Sequence, residues 1–121
     1  MTLFRPVGQK ELDLIAESNF TAFPPRLSFQ PIFYPVLNEE YASEIARNWN
    51  TKDPQAGYGG YVTRFRVRAS FIRTYAVHTA GARHHQEYWI PAEDLPAFNQ
   101  SIIGHIAVVG EFHGGADVAP V

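Results

Sequence analysis

The sequence contains no cysteine, which excludes disulfides, zinc–thiolate centres and thiol nucleophiles. Without a disulfide framework, a cytoplasmic location is expected. No stretch approaches the roughly 20 apolar residues of a membrane span. Met1 to Lys10 shows no long apolar run after a basic start, so no signal peptide is expected. Lysine is nearly missing: Lys10 and Lys52 are the only two, and arginine supplies the remaining basic residues. The net charge of −2 argues against general nucleic-acid binding. The P-loop, the Rossmann glycine fingerprint, the paired-histidine zinc helix and the nucleophile elbow are all absent from the sequence.

What is present suits one folded domain. The chain has 121 residues, of which 45% are hydrophobic and 18% charged, enough to build a core and too apolar for disorder. Aromatics reach 14%, which fits a β-rich core or a ligand pocket. Leu3–Val7 reads as a strand that ends at Pro6 or lies at an edge, followed by a helix over Gln9–Ser18. Phe20–Gln30, with Pro24-Pro25, reads as a loop, and Ile32–Leu37 as a second strand. Asn38 is a good N-cap for a helix ending near Asn50, with Tyr41, Ile45 and Trp49 recurring as a buried stripe beside Ala42 and Ala46. Thr51–Gly60 reads as a mobile loop.

Tyr61–Arg68 alternates strictly, placing Tyr61, Thr63, Phe65 and Val67 on one face and Val62, Arg64, Arg66 and Arg68 on the other. Further strands are expected over Phe71–Val77, Glu87–Ile90 and Ile102–Phe112, the last interrupted by Gly104. A short helix is expected over Pro91–Asn99, with Asp94 as its cap and Pro96 in its first turn. Helices early and strands late predict an α+β fold: a single domain over residues 1–113, a mixed or mostly antiparallel sheet and two to three helices. Residues 114–121 read as a flexible tail.

Several positions could bear chemistry. Glu87 opens an aromatic strand just after Arg83-His84-His85, where a neighbouring cation could hold it ionised. Tyr34 shares a strand face with Ile32 and Val36. Arg5 sits between apolar neighbours, where a charge calls for a partner. Arg64 and Arg66 form a ladder suited to phosphate or to a solvated sheet face. His84 and His85, on a strand, would point to opposite faces. A metal site built on them would need a third ligand brought in by the fold, His78 in the reading of a metal-dependent hydrolase, and no metal ligand is assigned.

The segments Leu3-Phe4-Arg5-Pro6-Val7-Gly8, Pro31 to Asn38 and Glu87 to Leu95 resemble a family of small bacterial proteins labelled "ADP-ribosylation/crystallin J1". The resemblance extends to about Phe112. It implies a layout similar to the ADP-ribosyltransferase fold, which carries a His or Arg on its first strand, a Tyr or Ser on its second and a Glu on a later one. The matching positions are Arg5, Tyr34 and Glu87. The resemblance thus implies NAD as substrate, Glu87 as the catalytic residue, Arg5 and Tyr34 as NAD-binding residues, Arg64 and Arg66 as further phosphate ligands, and an acceptor the sequence does not name. Arg5 departs from the histidine that usually accompanies a second-strand tyrosine. The alternative is a non-enzymatic module that binds a nucleotide or a protein.

Overall fold

The computed structural model describes residues 1–114. Apart from Gly114, the tail expected over 114–121 lies outside the described residues. The fold is α+β, and every strand pair among the described residues is antiparallel. Strands β1 (Thr2–Val7), β3 (Gly59–Val67) and β7 (Ile102–His113) form a sheet in the order β1-β3-β7. Two smaller ladders join β2 (Ile32–Phe33) to β6 (Ile90–Pro91) and β4 (Val77–Thr79) to β5 (Gln86–Tyr88). Bridges from Val36 to Phe4 and to Glu87 stitch these pieces together. No helix among the described residues is long and apolar enough to cross a membrane.

Pro6 does not end β1. Pairing with β3 continues through Pro6 to Val7 opposite Tyr61. On the other side, Phe4 exchanges both backbone hydrogen bonds with Val36 (2.9 and 2.7 Å). Antiparallel alternation then turns the nitrogen of Pro6 toward Tyr34, the side on which this ladder stops. The carbonyl of Tyr34, left without a proline donor, accepts from Nη1 of Arg5 at 3.3 Å.

One register runs through the neighbouring strands. Ile32 faces Pro91, Phe33 faces Ile90 and Val36 faces Glu87, which sets Tyr34 across from Trp89. Because side chains alternate, Phe33 and Ile90 point into the main core while Tyr34, Val36, Glu87 and Trp89 share the opposite face. The main core includes Leu3, Val7, Ile15, Phe23, Phe33, Phe65 and Phe98. Its aromatic centre has Phe23 against Phe65 at 4.9 Å and Phe33 against Phe98 at 5.1 Å between ring centroids, the tilted geometry that aromatic quadrupoles favour. The 20–30 loop takes part in this core: Phe23 is buried, and Asn99 holds its backbone N–H and C=O with two 3.0 Å hydrogen bonds.

Helix α1 (Gln9–Glu17) buries Ile15 on the core side, and α2 (Glu39–Asn48) covers the opposite face of the sheet. Asn38 caps α2 as expected, accepting from the Tyr41 N–H at 2.8 Å. The buried stripe differs from expectation. Ala42 and Ala46 are fully buried, Tyr41 and Ile45 half-buried, and Trp49 is exposed. The cause is close approach: a Cβ on Gly60 would collide with the backbone of Ala46, so only small residues fit where α2 meets β3.

Phe71–Val77 is not a strand. Ala69–Ile72 forms a one-turn helix, α3, and strand structure begins only at Val77. Phe71, Ile72 and Tyr75 have helical spacing, and Phe71 and Tyr75 meet at 5.4 Å. Asp94 does not cap α4 (Leu95–Gln100) through its side chain. Its carboxylate instead accepts from the Tyr75 hydroxyl at 2.7 Å. The segment expected as a mobile loop, Thr51–Gly60, holds two 3₁₀ turns, Asn50–Lys52 and Pro54–Ala56, and then begins β3.

Candidate functional site

A cleft of about 410 Å³ opens on the α2 face, lined by Arg5, Tyr34, Glu87, Trp89, Ile45 and Asn50 among others. The fold therefore brings Arg5, Tyr34 and Glu87 to one cavity. Its floor is the shared strand row, with Tyr34 opposite Trp89 and Val36 opposite Glu87. Ile45 of α2 and Asn50 beyond it form a wall.

Glu87 is only 8% exposed, and its carboxylate is held at both oxygens. The Tyr41 hydroxyl donates to one at 2.7 Å and the Trp89 indole N–H to the other at 2.7 Å. Each oxygen keeps a second lone pair for a ligand. Burial, and then the bond to Glu87, pushes the Tyr41 phenol well above its ordinary range, so Tyr41 stays a donor. Trp89 is fixed in turn by His78, which lies across from Glu87; the two rings stack at 3.8 Å and 6°. Tyr34 and Trp89 nonetheless remain 42% and 46% exposed. Two aromatic faces thus stand open beside one oriented carboxylate, an arrangement that can stack a ring or a sugar and bind its hydroxyl.

Arg5 is engaged by protein partners. It is 8% exposed, and its guanidinium is forked onto Glu11, Nε to Oε2 at 2.7 Å and Nη2 to Oε1 at 3.0 Å. It also lies 4.5 Å over the Phe33 ring. The partner that a buried charge requires is Glu11, one turn into α1, and the donors that would grip phosphate are largely taken. Arg64 and Arg66 line neither this cleft nor the larger cavity beside it. Arg64 shares the row Glu87–Val36–Phe4–Arg64, three strand spacings or about 14 Å from Glu87, and both arginines are exposed.

The second cavity, about 540 Å³, lies between α1, the 20–30 loop and the 3₁₀ turns. Asn50 lines both cavities, and its Oδ1 is buried without a partner among the described residues, as is Nε of Arg26. Burial, reinforced by the charge of Arg5, lowers the Arg26 pKa.

His84 and His85 do not sit on a strand. They occupy a tight turn ahead of β5, closed by the His85 N–H on the Ala82 carbonyl at 2.9 Å, and both rings therefore reach the same side. Their Nε2 atoms lie 2.9 and 2.8 Å from Oε2 of Glu44. His78 is not part of this cluster.

Tyr41, Trp89, Glu11 and Glu44 were not singled out as site residues from sequence. For Tyr41 and Glu44 a signal existed: they stand three apart on α2, hence on neighbouring positions of one helix face. Compared with family models, curated proteins and solved structures, the chain matches none of them.

Proposed function

We propose that the cleft binds NAD and that the protein transfers ADP-ribose from it to an acceptor, with Glu87 as the catalytic residue. The observation that carries this reading is the buried Glu87 carboxylate, oriented by Tyr41 and Trp89, beside the open faces of Tyr34 and Trp89. The cleft volume falls in the range of roughly 300–1,000 Å³ usual for small-ligand sites. In the reaction the bond from the ribose C1′ to the nicotinamide nitrogen breaks and its electron pair leaves with nicotinamide. The acceptor nucleophile then bonds to C1′ and gives up its proton. Positive charge builds on the ribose ring as the bond breaks, and a fixed carboxylate stabilises it, as in glycosidases. Tyr34 supplies a stacking face, and Arg5 keeps the Tyr34 carbonyl and the Phe33 ring in place. Arg64 and Arg66 have no part in this version of the site.

The bonding of Arg5 favours a second reading. With that guanidinium committed to Glu11, the phosphates lack the cation that would orient them for transfer, and the same cleft would then hold a nucleotide by its ring and ribose alone, as a binding module without turnover.

Calorimetry with NAD, following nicotinamide release in the same sample, separates the two. Binding with release is the expected result, and binding without release in the presence of diverse acceptors gives the module. No binding at millimolar NAD overturns both. Glu87→Gln should lower turnover by roughly a hundredfold or more with folding and NAD affinity kept. The glutamine oxygen can still accept from Trp89, and the Tyr41 hydroxyl can reverse to accept from the amide. Full turnover in that variant removes Glu87 from the mechanism.

A further inference from the structure

We infer that Glu44, His84 and His85 form a binding site for a zinc-class divalent ion, fastening the turn ahead of β5 to helix α2. The inference is independent of the NAD reading. Three ligand atoms converge from segments some 40 positions apart: Oε2 of Glu44 with Nε2 of His84 at 2.9 Å and Nε2 of His85 at 2.8 Å, all three within 4.8 Å of one another. Two imidazoles and one carboxylate suit zinc, cobalt or nickel rather than magnesium or calcium, which prefer all-oxygen shells. Ligands at ordinary zinc distances of roughly 2.0–2.1 Å sit about 3.3 Å apart around a tetrahedron, so seating the ion requires the group to open by about half an ångström. Oε1 of Glu40 lies 3.8 Å from Nε2 of His84 and can become a fourth ligand, with water as the alternative.

The surroundings hold the ligands in place. The Tyr41 ring stacks on His85 at 4.5 Å and 22°. The Asn38 amide donates to the His84 carbonyl at 2.6 Å. Hydrogen bonds from His84 and then His85 keep the Glu44 carboxylate below its ordinary pKa, so this ligand is already in its binding form. One contact opposes the ion: Nδ1 of His85 accepts from the Ala82 N–H at 3.1 Å, whereas a neutral histidine bound through Nε2 carries its proton on Nδ1. Metal loading therefore breaks that hydrogen bond. Ala80 to Arg83 are exposed, which leaves the Ala82 amide room to turn to water.

The test is titration of the full chain with zinc against a chromophoric chelator, together with the visible absorption of cobalt. The expected result is one equivalent bound, a raised Tm with zinc but not with magnesium, and shifts of the His84 and His85 ring nitrogens by NMR. Glu44→Gln and His84→Gln should each weaken binding at least tenfold, while His78→Ala, His105→Ala and His113→Ala leave it unchanged. The half-buried setting of Glu44 and His84 favours folding of these variants, and the wild-type nitrogen shifts give a readout without any substitution. Failure of the wild type to bind zinc at about a tenth of a millimolar, unchanged affinity in both glutamine variants, or loss of binding with His113 would each overturn the assignment.

Discussion

Removing the Glu11 carboxylate should cost more than any surface substitution, because it strands a buried guanidinium. The side chains of Arg5 and Glu11 are 10% and 20% exposed, and among the described residues Arg5 has only the Tyr34 carbonyl and the Phe33 face as further partners. Breaking a buried pair by deleting one member costs roughly 3–5 kcal/mol. Glu11 is partly wetted, so the low end, about 3 kcal/mol, applies to Glu11→Ala. With an unfolding entropy of roughly 2.1 cal/mol/K per residue, the 121 residues give about 0.25 kcal/mol/K, and the Tm falls by about 12 °C. The double substitution Arg5→Met with Glu11→Leu removes both charges and should recover most of that loss. Thermal and denaturant unfolding of Glu11→Leu, Arg5→Met and the double complete the cycle, with Glu11→Ala measured alongside. A loss below about 1 kcal/mol for Glu11→Ala, or a double variant as damaged as the single, would refute the claim that Arg5 is a structural ion-pair residue.

Two further outcomes concern side chains outside the cleft lining. Asn38→Ala removes both the cap of α2 and the bond to the His84 carbonyl; at about 1 kcal/mol each, a loss of roughly 2 kcal/mol in denaturant titration is expected, and Asn38→Ser should restore about half of it. Tyr75, raised from 10.0 to about 12 by burial and then by its bond to Asp94, contributes stability that is complete below pH 10. That contribution disappears as pH rises toward about 12, because the unfolded phenol loses its proton first. Tyr75→Phe should therefore flatten, without abolishing, the fall in Tm measured across that interval, since burial raises Tyr41, Tyr61 and Tyr88 too.

Much of the fold was legible in the sequence because it is written in local periodicity. The strict alternation of Tyr61–Arg68 is β3, and the Asn38 cap with its following acids is the start of α2. What periodicity could not convey was distance in space. Trp49 matched the spacing of a buried stripe, yet the closeness of α2 to Gly60 handed the interface to Ala42 and Ala46. Phe71 to Val77 was apolar enough for a strand, and its helical spacing was too short to decide the matter. Tyr34, Glu87 and part of Arg5 line one cleft, but the Arg5 guanidinium is turned onto Glu11 and the Phe33 ring. Most partners were invisible: Arg5 Nη1 on the Tyr34 carbonyl and Tyr41 on Glu87 meet only through tertiary packing, whereas Trp89 stands two residues from Glu87 on the same strand face and was legible from alternation.

The single register that faces Tyr34 with Trp89 and Val36 with Glu87 has a consequence for how chain length can vary. One residue inserted between Tyr34 and Val36, or between Glu87 and Trp89, would turn an aromatic face from the cleft into the phenylalanine core. A two-residue insertion would keep the sidedness and lengthen the row. The turn from Ala80 to Arg83, exposed throughout, can absorb either length without moving a cleft residue to the wrong side. Natural variants that keep the cleft should therefore carry their insertions in that turn, and odd-length changes within the paired rows should abolish it.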